Sequence, residues 1–120
     1  MSRNVLVVDD DAVLRGLVRS AMEAAGFTVD EAECGADGLD LLRAAPGCYH
    51  LIITDLAMPG MTGLEMLIAA GPDLGEAKVL LFTGFASSIR ESSNLRVRVL
   101  SKPIAPAELA SRAAELLEAA

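Results

Sequence analysis

A doubly wound α/β fold, with five parallel strands and helices on both faces of the sheet, is the expectation for these 120 residues on three grounds. Apolar runs such as Asn4 to Val8 and Leu51 to Thr54 lack polar alternation, as strands covered on both faces require. Stretches with apolar residues at helical spacing lie between them. Gly and Pro mark the joints, at Gly26, Pro46-Gly47, Pro59-Gly60 and Gly71-Pro72. With no internal repeat and no linker, this alternation argues for one domain over residues 1–120.

Asn4 to Val8 is the expected first strand, and it ends at Asp9-Asp10-Asp11, with Asp11 where a helix N-cap belongs. Leu14, Leu17, Val18, Ala21, Met22 and Ala25 then follow at helical spacing until Gly26. Phe27 to Ala32 alternates, which suits an edge strand. A second helix is expected from about Ala36 to Ala45, with Leu39 and Leu42 facing inward. Tyr49 to Thr54 forms the central strand, and Thr62 caps a short helix carrying Leu64, Met66, Leu67 and Ile68.

Lys78 to Gly84 is the fourth strand, apolar until its carboxyl end. Between Phe85 and Leu95 the serines and the scarcity of repeating apolar residues predict a short or disordered fourth helix. Arg96 to Leu100 alternates like a second edge strand whose arginines block further pairing. Pro106 fits the first turn of a last helix that buries Leu109, Ala113, Leu116 and Leu117.

A net charge of −7 excludes a sequence-independent grip on nucleic acid, which needs clustered Lys and Arg. No apolar stretch approaches the roughly 20 residues of a membrane span. No basic-then-apolar leader opens the chain either, so the expected location is cytoplasmic. Cys34 and Cys48 are too few and too separated for a metal cage or a disulfide frame, and they read as buried or half-buried free thiols.

The chemistry gathers where strands stop. A Met58-Pro59-Gly60 turn ends the central strand just past Asp55, at the carboxyl edge where open α/β sheets place their sites. Parallel topology brings Asp9, Asp10, Thr83 and Lys102 to the same edge. Carboxylates crowded together call for a cation, and an oxygen-only donor set with no nearby histidine selects a hard one, Mg²⁺. The hydroxyl and the lysine beside it make sense if a phosphoryl group is built on Asp55. Asp55 would then be the nucleophile, and the acyl phosphate a covalent intermediate.

Val7-Val8-Asp9-Asp10, Asp55 to Gly60, Thr83-Gly84 and Lys102-Pro103, in this order and at these intervals, resemble the receiver domain of two-component response regulators along the whole chain. The resemblance implies a flavodoxin-like or receiver-like fold with strand order 2-1-3-4-5. It implies Asp55 as phosphoacceptor, Asp10 as a direct Mg²⁺ ligand, Asp9 as a ligand mostly through water, and the carbonyl of Ala57 as a further ligand. Thr83 is by the same likeness the switch hydroxyl, and Lys102 the contact to the phosphoryl group. The implied donor is a histidine kinase or a histidine phosphotransfer protein, and the implied output a switched contact with an unidentified downstream protein. No substrate apart from the chain itself is expected, so it is not read as an enzyme in the ordinary sense.

The pieces around Thr83 and Lys102 are similar to CpdR-type stand-alone receivers, which act as protease adaptors, and to receivers of hybrid histidine kinases. A relay or phosphate-sink receiver without its own output is the alternative. Three features depart from the family. Val99 stands where many receivers have an aromatic residue, Thr83 is followed by Gly84 in place of the frequent alanine and then by Phe85, and the interval from Thr83 to Lys102 is short. These departures predict that activation orders or melts Phe85 to Leu95, with Phe85 supplying the ring. Amide exchange of that segment with and without beryllofluoride tests this, and identical exchange refutes it.

Rival functions fit less well. A haloacid-dehalogenase-type phosphatase needs a second aspartate where Ala57 stands, and a flavin carrier needs hydroxyl residues where Asp9 to Asp11 stand. His50 at the start of a strand reads as solvated.

Overall fold

The computed structural model describes residues 3–83, 97–101 and 105–118. Five strands run β1 (Arg3–Val8), β2 (Phe27–Ala32), β3 (Leu51–Asp55), β4 (Lys78–Thr83) and β5 (Val97–Ser101). All neighbouring pairs are parallel and the order is β2-β1-β3-β4-β5. Among the described residues four α-helices accompany them: α1 (Ala12–Ala24), α2 (Gly35–Ala44), α3 (Gly63–Ala70) and α4 (Pro106–Glu118). The expected fold and strand order are therefore present, with β2 and β5 at the edges. The helix anticipated between Phe85 and Leu95 falls outside the described residues.

Strand side chains alternate between two separate cores, because successive residues of a strand face opposite sides. Val5 and Val7 join Leu51, Ile53 and Leu80 beneath α1 and α4, where Val18, Met22, Leu109, Ala113 and Leu116 complete the packing. Leu6 and Val8 join Ile52 and Val79 on the other face, against Leu39 and Leu42 of α2 and Met66 and Ala70 of α3. Both faces of β1 and β3 are thereby dry, which is why these strands carry no polar alternation.

Local signals set the helix starts. Asp11 caps α1, its Oδ1 accepting from the N–H groups of Val13 and Leu14. Thr62 caps α3 in a capping box, its hydroxyl accepting from Glu65 N–H while the Glu65 carboxylate accepts from Thr62 N–H. Gly71-Pro72 does end α3, but the chain continues for one 3₁₀ turn, Gly71–Leu74, before β4.

Several expectations shift. Helical spacing put Leu17 and Ala25 in the inner stripe of α1, yet Leu17 is 51% exposed and Ala25 is the exposed C-cap. Of α1 only Val18 and Met22 are fully buried, while Leu14 and Ala21 are partly buried against the same core. The central strand begins at Leu51, two residues later than anticipated, and ends on Asp55 itself. Cys34 is half-buried and serves as the N-cap of α2, whereas Cys48 is exposed rather than buried; both thiols are free.

His50 is exposed, as expected, but it is also structural. Its Nδ1 accepts a hydrogen bond from Asn4 N–H at 3.1 Å, its N–H donates to Asn4 O at 2.8 Å, and its carbonyl accepts from Lys78 N–H. It thus joins the amino ends of β1, β3 and β4. Beside it, the buried Tyr49 donates its hydroxyl to Asp30 Oδ2 at 2.7 Å. Burial and this hydrogen bond push the Tyr49 pKa well above its ordinary value, so the phenol stays a donor.

Candidate phosphoacceptor and cation site

Val8 pairs with Thr54 across the β1–β3 ladder, so Asp9 and Asp55 leave the sheet side by side. Both are nearly fully buried, at 4% and 6% exposure, whereas Asp10 is exposed. One carboxylate oxygen from each of Asp9, Asp10 and Asp55 lies within 4.8 Å of the others. Of the four groups expected to gather round a cation, these three are brought together. Ala57, the fourth, lies exposed two residues past the end of β3, and its N–H donates to Asp55 Oδ1 at 3.3 Å.

The remaining two predicted residues are placed less fully. Thr83 ends β4, one residue past Phe82, which pairs with Asp55 and whose carbonyl accepts from Leu56 N–H. Its backbone thus stands at the same edge of the sheet as Asp55. Lys102 lies outside the described residues, next to Ser101 at the end of β5.

The donor set fits a hard divalent ion. The three gathered side chains are all carboxylates, two of them are withdrawn from water, and the third opens to solvent from which a hydrated ion can arrive. Desolvated carboxylates this close repel one another, and a cation between them removes that cost.

Two residues that hold the site escaped the sequence reading. Gly63 opens α3, and its N–H donates to Leu56 O at 3.0 Å. A Cβ at this position would sit 2.3 Å from the carbonyl oxygen of Asp55 and 2.9 Å from Thr54 Oγ1. Glycine therefore lets α3 close directly onto the residue that carries the site. The hint available in the sequence was a glycine placed just after a helix cap. Gly63→Ala is expected to displace α3 or the end of β3 and to destabilise the fold by about 1–3 kcal/mol, since the obstructing atom is backbone. Urea unfolding monitored by circular dichroism measures it.

Arg15 is the second. Its Nη1 donates to the backbone carbonyl of Asp9 at 2.7 Å, and its Nε donates to Glu31 Oε1 at 3.2 Å. Glu31 also accepts from Arg19 through its other oxygen. The Arg19 hydrogen bond, opposed by partial burial and reinforced by the positive charges of Arg19 and Arg15, holds the Glu31 carboxyl below the usual carboxylate range.

Comparison with known proteins agrees with this architecture. The family model described as the response regulator receiver domain matches residues 5–114. CpdR of Brucella abortus, a response regulator receiver protein, is 31% identical over 98% of this chain and 99% of its own length. The sensor kinase CckA of the same organism is 30% identical over 95% of this chain, which amounts to 12% of that much longer protein. Among solved structures, the receiver domain of the hybrid histidine kinase CckA superimposes with a TM-score of 0.85 at 30% identity, covering 96% of this chain and 99% of that one. TrrA of Thermotoga maritima, solved in complex with Mg²⁺ and BeF, gives a TM-score of 0.79 at 29% identity, covering 95% and 98%. With its five-stranded order and its acidic strand ends, the chain belongs to the response regulator receiver domain family of two-component signalling.

Proposed function

We propose that this chain is a single receiver domain that accepts a phosphoryl group on Asp55 and uses it to switch contact with another protein. The observation that carries this is the nearly buried Asp55 carboxylate at the end of β3, within 4.8 Å of two further carboxylates. In the transfer, an Asp55 oxygen attacks the phosphorus of a phosphohistidine whose other ring nitrogen is protonated, the P–N bond breaks with its electron pair going to the departing nitrogen, and an aspartyl phosphate and a neutral imidazole result. Mg²⁺ held by Asp9, Asp10, Asp55 and the Ala57 carbonyl would offset the negative charge of the phosphoryl oxygens. Ala57 N–H donates to one Asp55 oxygen and so steadies the carboxylate at the end of β3. Thr83 and Lys102 are proposed to contact the phosphoryl group, the first as the switch hydroxyl and the second as counter-charge. The chain is its own acceptor, and no separate substrate enters.

The proposed donor is a histidine kinase or a histidine phosphotransfer protein, and the proposed place is the cytoplasm. No helix among the described residues is long and apolar enough to cross a membrane. A protein donor needs a surface beside the pocket, and α1 starts directly after the acidic corner with Val13 at 74% exposure and Leu17 at 51%, one turn apart. Leu17→Asp is accordingly expected to slow transfer from a phosphorylated donor protein about tenfold or more while leaving labelling by acetyl phosphate unchanged. Parallel radiolabelling time courses with the two donors read the difference, and equal rates for variant and wild type would remove α1 from the docking surface.

Incubation with acetyl phosphate and Mg²⁺, followed by peptide mass spectrometry, tests the central reading. A phosphoryl adduct on Asp55 supports it, and an unmodified protein or a different acceptor refutes it.

A further inference from the structure

Arg15 holds the backbone of the acidic corner, and this has a consequence for the cation. The Asp9 carbonyl that Arg15 grips belongs to the same planar peptide unit as the Asp10 N–H. Asp9 is also held through its N–H, bound to Ala32 O at 3.1 Å, and through its Oδ1, which accepts from Asp11 N–H at 2.9 Å. The Arg15 bond acts on the Asp9–Asp10 peptide unit itself, and the turn of that plane sets the direction in which Asp10 leaves the chain.

We infer that Arg15 is a positioning residue for the cation: its clamp on the Asp9–Asp10 peptide aims the Asp10 carboxylate into the pocket, and Glu31 neutralises the guanidinium that does so. The inference rests on the proposed function of Asp9, Asp10 and Asp55 as the cation site.

Neutralisation by Glu31 is needed because an unpaired guanidinium at the Asp9 carbonyl would lower the pocket's attraction for a divalent ion. Glu31 is suited to the task. It is ionised across the neutral range, and its second oxygen is held by Arg19, so it approaches Arg15 from a fixed position. Arg15 is itself well covered for a cation on a helix surface, with a side chain only 17% exposed and bonds to two different strand ends. An arginine serves here because its fork can donate to a carbonyl through one nitrogen and to a carboxylate through another. The arrangement resembles the outer shells that orient ligands in metal sites, where removing such a support lowers affinity about 10- to 100-fold.

Calorimetric titration of the intact protein with MgCl₂ at low ionic strength tests the inference on four variants. Wild type must bind Mg²⁺; if it does not, the cation reading itself fails, whatever Arg15 does. Given binding, Arg15→Met is expected to weaken Mg²⁺ affinity about tenfold. Arg15→Lys, which still reaches the carbonyl as a donor, is expected to recover part of the loss. Glu31→Gln, with the clamp intact but uncompensated, is expected to weaken binding at low salt and to approach wild type as salt is raised. Arg19→Ala, which loosens Glu31 but leaves the bond from Arg15 to the Asp9 carbonyl in place, is expected to change affinity less than Arg15→Met. Wild-type affinity in folded Arg15→Met, or equal losses in Arg15→Met and Arg15→Lys, would overturn the positioning role. If Arg15→Met does not fold, the comparison of Arg15→Lys and Glu31→Gln with wild type decides: unaltered affinity in both overturns it.

Discussion

Asparagine at position 55 is expected to abolish acyl phosphate formation while leaving the fold in place. The amide is nearly isosteric with the carboxylate, so it fits the same nearly buried position at the end of β3, and its oxygen still accepts from Ala57 N–H. The amide oxygen is a far weaker nucleophile than a carboxylate oxygen, and no other carboxylate of the corner stands at a strand end with that N–H beside it. Labelling by acetyl phosphate in Mg²⁺ should therefore drop to background, as measured by intact-mass analysis. Circular dichroism and urea unfolding should show a change of about 1 kcal/mol or less, the scale of one altered hydrogen bond. Labelling at the wild-type rate in folded Asp55→Asn would place the acceptor elsewhere and end the reading.

The legible parts of this molecule are those set by local chemistry. Unbroken apolar runs announced β1 and β3 because both faces of these strands are covered, by α1 and α4 on one side and by α2 and α3 on the other. Asp11 and Thr62 announced α1 and α3 because a helix start has unsatisfied N–H groups that a short polar side chain meets. The acidic corner was legible because a carboxylate at the end of a buried strand has no dull explanation once two more arrive at the same edge.

What could not be read depended on how elements meet. Leu17 has the spacing of a core residue, and only the way α1 packs in the folded chain leaves it facing out. Gly63 looks like an ordinary small residue until α3 is seen to touch the Asp55 carbonyl. Arg15 has the sequence signature of a solvated helix cation, and its true partners are the Asp9 carbonyl, just past the end of β1, and Glu31 of β2. Such partners are contributed by tertiary approach, which a single sequence does not display.

The other large effect expected concerns Asp10. It is the exposed member of the three carboxylates, at the mouth of the pocket, whereas Asp9 and Asp55 lie within it. A hydrated divalent ion entering from solvent meets Asp10 first, and hard cations depend on the number of charged oxygens offered to them. Asp10→Asn keeps the shape and removes one of the three negative charges. Since charge offset at transferring phosphoryl oxygens contributes several kcal/mol, losing about 3 kcal/mol of it corresponds to a rate lower by on the order of 100-fold. Chelation of Mg²⁺ by EDTA should lower the rate in wild type by as much or more, and should add little to the defect already present in Asp10→Asn, because both remove the same interaction. Thermal unfolding without Mg²⁺ should shift little or upward in Asp10→Asn, since one source of repulsion in the corner is gone. A variant that is labelled at the wild-type rate and stays sensitive to EDTA would show that Asp9 and Asp55 hold the ion without Asp10, and would reassign the cation to the buried pair.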